Sequence, residues 1–158
     1  MRLVDHAPRG LLRAFFRAPI ALYRTGLGAL FGHRLLYLVH KGRKSGLRRE
    51  TVLEVVAYDP RQPEAVVVSA WGENSDWYRN ITATPALELR IGRQHWTRPR
   101  HRLLELDETV RTLRAYRVRH PRAWRRLAPV MGIPLDPAAA SAHDALTRLR
   151  VVAFTPAG

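Results

Sequence analysis

From residue 9 to 31 the apolar positions Leu11, Leu12, Phe15, Phe16, Leu22, Tyr23 and Leu30 recur at helical spacing, with Arg13, Arg17 and Arg24 in a narrow arc of the opposite face. Pro19 lacks an amide hydrogen and clashes with the preceding turn, which predicts a kink or a split there. Two roles fit such an element: capping the core, or lying on anionic lipid with its arginines toward the headgroups. From residue 34 the period shortens to that of strands. "RLLYLVHKG" and "RETVLEVVAYD" read as two strands joined by a turn from Gly42 to Gly46. After the turn residues "PRQPE", "AVVVSAWG" is apolar enough for an interior strand. Ser75 is placed to cap a short helix, "DWYRNITA", that stops before Pro85.

"ALELRIG" alternates, with Leu87, Leu89 and Ile91 on one face and Glu88 and Arg90 on the other. "GRQ" turns the chain, and "HWTRPRHRLLEL" reads as one long strand that Pro99 keeps at an edge or on a bulge. Two helices follow, "DETVRTLRAYRVRH" with Asp107 as its cap and "PRAWRRLAPVMG" with Pro121 as its first residue. The loop "IPLDPAAASAHD" leads to a last strand, "TRLRVVAF". Six strands joined by hairpins, with few strand–helix alternations, predict a mainly β, α+β fold: an antiparallel sheet closed or half-closed into a small barrel, flanked by helices. No repeat and no long linker divides the chain, so residues 1–158 make one domain. Within it, 1–31 are the N-terminal amphipathic helix, 32–106 the barrel core, and 107–158 the C-terminal helices and last strand.

Charge adds a partner to this picture. There are 27 basic residues against 13 acids, and all the bases but Lys41 and Lys44 are arginine. Guanidinium groups fork onto carboxylates and phosphates, so the balance suits an anionic partner: nucleic acid, a membrane face or a small polyanion. Arg111, Arg114, Arg117, Arg119, Arg122, Arg125 and Arg126 make the best case for nucleic acid, but no recognised nucleic-acid motif accompanies them, and a solvated helix face is the simpler account. The absence of cysteine excludes disulfides, thiolate metal sites and cysteine nucleophiles. Histidines at 6, 33, 40, 95, 101, 120 and 143 form no HxH or HxxxH pair, so no metal site is expected. Ser69, Ser75 and Ser141 lie in no GxSxG frame. No apolar run approaches the roughly 20 residues of a membrane span, and arginines interrupt the N-terminal apolar stretch, so a cytoplasmic protein is expected.

Two stretches carry candidate chemistry. "HKGRKSGLRRET", residues 40–51, sets Lys41, Arg43, Lys44, Arg48 and Arg49 around two glycines, with no acid before Glu50. A glycine turn exposes successive amides, and these with Arg43, Lys44, Ser45 and Arg49 make a nest for phosphate or carboxylate, unless the run is simply a solvated hairpin. It lacks the GxxxxGK[ST] spacing of a nucleoside-triphosphate loop. "SAWGENSDWYRN", residues 69–80, interleaves two tryptophans and a tyrosine with Gly72, Asn74, Ser75, Asp76 and Asn80. Such a segment is either an aromatic cluster at the edge of the core or a place where a flat ligand meets backbone amides.

In this order and at this separation, "GRKSGLRRET" and "SAWGENSDWYRN" resemble the marks of the deazaflavin-dependent nitroreductase family: a GRKSG-x-x-R-x-T turn and a strand–loop–helix of type S-x-W-G-x-x-x-D-W-Y-R-N. The likeness runs from about residue 30 to 105, with Arg48 standing where many relatives have proline. It implies a split β-barrel related to flavin-mononucleotide-binding barrels. It also implies the deazaflavin coenzyme F420, with FMN as the alternative, and hydride transfer to a small-molecule acceptor, a quinone or another electrophilic or nitro compound. The coenzyme's phosphodiester and glutamate tail form a string of negative charges. By the resemblance Arg43, Lys44, Ser45, Gly46 and Arg49 fall on the turn that binds that tail, and Thr51 on the strand after it. Ser69, Ala70, Trp71 and Gly72, then Asp76, Trp77, Tyr78, Arg79 and Asn80, fall on the segments that contact the ring and its side chain. Tyr116, His120 and Trp124 are what the C-terminal helices offer to a substrate pocket. No acid–base residue is expected, because the chemistry is the cofactor's. A flavin-, haem- or lipid-binding barrel without catalysis, a homodimer, and peripheral membrane contact through residues 9–31 are further expectations.

Overall fold

In sequence order two short strands, Gln94–Thr97 and Arg100–Leu103, follow one another with only Arg98 and Pro99 between them, yet they form opposite edges of the sheet. Three Cα–Cα steps span at most about 11 Å, so the sheet must curl until its two edges nearly meet. The computed structural model describes residues 20–69 and 72–158. Its strands are β1 Leu35–Lys41, β2 Arg48–Asp59, β3 Glu64–Ser69, β4 Glu88–Ile91, β5 Gln94–Thr97, β6 Arg100–Leu103 and β7 Arg150–Thr155. They pair antiparallel throughout, in the order β5-β4-β1-β2-β3-β7-β6. The half-closed barrel expected from the sequence is present, with seven strands in place of six. The long strand expected over "HWTRPRHRLLEL" is divided because Arg98 turns at φ 48° and Pro99 has no amide hydrogen to continue a ladder.

β2 belongs to both halves of the barrel. Its first part pairs with β1 and its second with β3, and the register shifts between Val55 and Ala57. Among the described residues the α-helices after β1 are α1 Asp76–Ala83, α2 Leu106–Arg119, α3 Pro121–Met131 and α4 His143–Arg148, and 3-10 turns cover Leu27–Phe31, Gly72–Asn74 and Ala140–Ala142. α3 starts at Pro121 as expected, whereas the N-cap position of α2 is Glu105, whose side chain makes no capping bond, and Asp107 lies inside the first turn. Thr147 and Arg148, expected in the last strand, close α4 instead.

Three clusters of buried residues explain why the strands are apolar on both faces. The barrel interior holds Leu36, Leu38, Val67, Leu89, Ile91, Trp96 and Phe154, with Trp77 and Ile81 of α1 packed into the same cluster. Residues of opposite parity, Val56, Val66, Val151 and Ala153, meet Leu113, Tyr116, Trp124 and Leu146 of the C-terminal helices on the outside. Tyr37 and Val39 of β1 pack outward against Tyr23. Tyr23 stacks on Tyr37 at 5.4 Å and donates its hydroxyl to the Leu35 carbonyl at 3.0 Å. Of the expected N-terminal helix, residues 9–19 lie outside the described residues. Residues 20–24 are helical and cover the outer face of β1 through Tyr23, Arg24 pairs with Glu50, and Leu30, expected on the apolar face, is 79% exposed. Among the described residues no helix is long and apolar enough to cross a membrane.

Candidate functional site

The β1–β2 ladder sorts the basic residues into two sets. Lys41 pairs with Arg48, His40 with Arg49 and Leu38 with Thr51. Paired residues share a face and faces alternate, so His40, Arg49 and Thr51 lie on the side of Leu38, toward the barrel interior. Lys41 and Arg48 lie on the other side, where Arg48 meets Glu88 at 3.4 Å and Glu50 at 3.9 Å. Between the strands, residues 42–47 close on themselves. The Gly42 amide donates to Leu47 and the Gly46 amide to Gly42, each at 2.8 Å. Gly46 sits at φ 70°, where a side chain would be strained. The Ser45 hydroxyl accepts from the Leu47 amide at 3.2 Å and so serves the turn itself.

This turn is seated on α1. The Asn80 side-chain oxygen accepts from the Arg43 amide and from the Arg43 guanidinium, both at 3.0 Å, and the guanidinium also reaches Asp76 at 3.2 Å. Asn80 and Asp76 are one helical turn apart and therefore share a face, while Trp77 and Ile81 face the core. The Asn80 amide nitrogen in turn lies 3.0 Å from His40 Nδ1. With the amide oxygen turned to Arg43, the nitrogen donates to Nδ1, which assigns the ring proton to Nε2. Burial, then the charge of Arg49, pushes His40 down to about 4, with Asp76 pulling the other way. His40 carries no sequence signal of this role, because its partner is 40 residues away.

The segment before α1 is held from behind. Ser69 donates to the Gly72 carbonyl at 2.7 Å and is hydrogen-bonded to Ser75, both contacts being buried. Ser75 stands at the N-cap position, but its hydroxyl is used in this way and does not cap the helix. Arg79 donates to the Glu73 carbonyl at 2.9 Å, and Arg150 pairs with the Glu73 carboxylate. Gly72 adopts φ 55°, and a Cβ added there would overlap the Arg148 carbonyl oxygen. Gly72→Ala is therefore expected to destabilise the fold by about 1–3 kcal/mol, from left-handed strain together with a backbone clash. Urea unfolding measures it, and an unchanged midpoint would refute the close packing of this turn on the α4–β7 junction.

Of the remaining candidates, Trp77 is 8% exposed and packed in the interior, and Tyr78 is half-buried beside it with the rings edge-on at 6.1 Å. Ala70 and Trp71 lie outside the described residues. Tyr116, His120 and Trp124 do come together, with ring centroids 5.2 and 6.4 Å apart, but elsewhere. Tyr116 is buried against the outer face of the sheet with its hydroxyl on Glu54, and Trp124 donates to the Leu135 carbonyl at 2.7 Å. Glu54 pairs with Leu35, at the end of β1 away from Lys41, which puts this trio about 20 Å along the strands from the basic turn. Among the described residues no group of three or more histidines and carboxylates is placed to hold a metal ion.

Comparison with known proteins adds the following. Residues 16–127 match the model of a family described as F420H(2)-dependent quinone reductase. No curated protein sequence matches the chain. Among solved structures, an F420-H2 dependent reductase (FDR-A) superposes with a TM-score of 0.52 at 17% identity, over 78% of this chain and 95% of its own. The protein Atu2129 of Agrobacterium tumefaciens, of unknown function, gives 0.51 at 15% identity, over 98% and 58%. An FMN binding protein from Nostoc punctiforme, related to pyridoxamine 5'-phosphate oxidase, gives 0.42 at 15% identity, over 97% and 82%. At these identities the two matches above 0.5 are likenesses of fold, and the seven-stranded, half-closed antiparallel sheet is a split β-barrel.

Proposed function

Because the chain belongs to the F420H(2)-dependent quinone reductase family, and is thereby an F420-dependent oxidoreductase, we propose that its basic turn, seated on α1, is the clamp for the coenzyme's acidic tail. The observation that carries this reading is the Arg43–Asn80 contact, which fixes a cationic loop against the helix of the 69–80 segment. The donor set suits a polyanion. Lys44 and Arg49 are exposed, and the amides of Lys44 and Ser45 have no partner among the described residues. Among the described residues the one carboxylate within ion-pair distance of Arg43, Lys44 or Arg49 is Asp76, itself exposed. Such a set offers hydrogen-bond donors and positive charge where a metal cation would need acceptors.

When bound, the coenzyme supplies the hydride, and the chain supplies binding, orientation and shielding from water. In this reading Arg43, Lys44, Ser45, Gly46 and Arg49 hold phosphate and carboxylates, with Thr51 beside them on β2. Ser69, Ala70, Trp71, Gly72, Asp76, Tyr78, Arg79 and Asn80 frame the ring end, with Trp77 fixing α1 from beneath. The rigidity of that frame comes from the Ser69–Gly72–Ser75 network and from Arg79 on the Glu73 carbonyl. Quinones are the acceptors the family description favours. Nitro compounds are weaker candidates, since Tyr116 and Trp124 have their polar atoms bonded within the fold, far from the turn. Nearby cations would stabilise negative charge on the acceptor as hydride arrives.

Fluorescence titration with F420 beside FMN tests the reading. Micromolar affinity for F420 and at least about tenfold weaker affinity for FMN are expected, because one phosphate engages fewer of the turn's cations than a phosphodiester with a carboxylate tail. Equal affinity for the two, or none for F420, would overturn it.

A further inference from the structure

We propose that a groove on the far side of the molecule, between the start of β1, the bulge of β2 and the α2–α3 corner, binds small organic anions that carry an apolar body. The cavity has a volume of about 250 Å³. Its polar end is formed by Arg34, Arg119 and His120, and its walls by Val55, Ala57 and Tyr58. The bulge makes the space: where the β2 register shifts between Val55 and Ala57, the strand bends away from a regular ladder. The Tyr58 ring is fixed as a wall by His33, with ring centroids 4.2 Å apart.

The charges at the polar end are not consumed by the fold. Arg34 is half exposed and reaches Glu54 only at 3.7 Å, and Glu54 already accepts the Tyr116 hydroxyl. Arg119 gives its Nε–H to the Ala115 carbonyl at 3.4 Å, leaving its terminal nitrogens without partners among the described residues. Two guanidinium groups against one carboxylate leave a net positive end, and a planar carboxylate is the shape that a guanidinium fork accepts in two parallel bonds. An anion bound there would be flanked by His33 and Arg34 just before β1, Tyr58 from β2, Arg119 from α2 and His120 at the corner, with Glu54 and Tyr116 behind Arg34. Burial, then Arg34 and Arg119, holds His120 below its ordinary value, against the pull of Glu54. A bound carboxylate opposes the two arginines, so its arrival raises the His120 midpoint and draws in a proton.

This site is separate from the basic turn and needs no coenzyme, so its test is independent of the reading above. The full chain, free of F420, is titrated with benzoate and with the neutral isostere benzamide, followed by nuclear magnetic resonance of the histidine and tyrosine rings. Benzoate is expected to shift His120 and Tyr58 saturably, to raise the His120 midpoint, and to bind at least about tenfold more tightly than benzamide. Arg119→Ala, at an exposed helix end where folding is not at stake, should weaken benzoate by about tenfold and leave benzamide unchanged. Arg34→Gln should act in the same direction. Equal binding of the two probes, shifts confined to other surfaces, or benzoate affinity untouched by both substitutions would overturn the proposal.

Discussion

Arg43 and Lys44 changed together to alanine will weaken F420 binding about a hundredfold, while the melting temperature falls by only a few degrees. Each charge-assisted hydrogen bond to an anion contributes about 1.5–3 kcal/mol, and two of them lost at the lower end of that range amount to about two orders of magnitude in affinity. The fold should survive because the seat of the turn does not depend on the Arg43 side chain alone. The Arg43 amide also donates to Asn80 at 3.0 Å, and the Gly42–Leu47 and Gly46–Gly42 bonds are backbone throughout. The lost ion pair is with an exposed Asp76, and such surface pairs contribute about 1 kcal/mol or less. Fluorescence titration and thermal unfolding of the same preparation separate the outcomes. Unchanged affinity would remove the turn from the coenzyme site, and a large fall in melting temperature would make it a structural element.

Acidification from pH 6.5 to about 4 will cost the folded state roughly 3 kcal/mol through His40 alone. The folded value is depressed from 6.5 to about 4, so in that window the unfolded chain holds a proton that the folded chain refuses. Stability is therefore complete above pH 6.5, declines as the pH falls, and levels off below about 4. The cause is local: burial of the ring comes first, then the charge of Arg49, the paired residue on β2. His101 and His120 are also held below their ordinary values, by burial foremost, so they add slope of the same sign. Comparing urea unfolding of the wild type with His40→Gln at pH 7.5, 5.5 and 4.5 isolates the His40 share. Parallel pH profiles for the two proteins would show that His40 is not the group refusing the proton. Protonated Nδ1 would also face the Asn80 amide hydrogens, and Asn80 cannot turn its single oxygen to His40 without withdrawing it from Arg43. Coenzyme affinity should fall over the same pH range.

What could be read from the sequence was what period and local chemistry determine. β1 to β4 and α1 to α3 lie close to where their patterns place them, and the basic turn and the 69–80 segment stand out by composition alone. The β5–β6 division was not legible, because Pro99 is compatible with an edge, a bulge or a corner. Only closure of the whole sheet decides that the chain crosses to the other edge there. Ser75 has the right residue type for a helix cap, but a serine six positions earlier competes for its hydroxyl. α4 is six residues long, too short for a helical period to emerge. The meeting of Arg43 with Asn80, and of Asn80 with His40, depends on residues 37 and 40 apart, which no local pattern encodes. Tyr116, His120 and Trp124 are spaced to share a helical face, and nothing in that spacing tells how far the face lies from the turn.

The corner at Arg98 and Pro99 bears on how the protein behaves in a crowded solution. A sheet with open edges invites strands from other molecules to add to it, and the growth of fibrils begins that way. Here both edge strands, β5 and β6, have only four residues each, and they are tied to one another at the seam. β6 also presents Arg100 and Arg102, both exposed, to anything approaching its edge. An incoming strand would find a short ladder, a proline beside it and guanidinium charges along it. The gap that leaves the barrel split is thus guarded against polymerisation by the residues at its own rim.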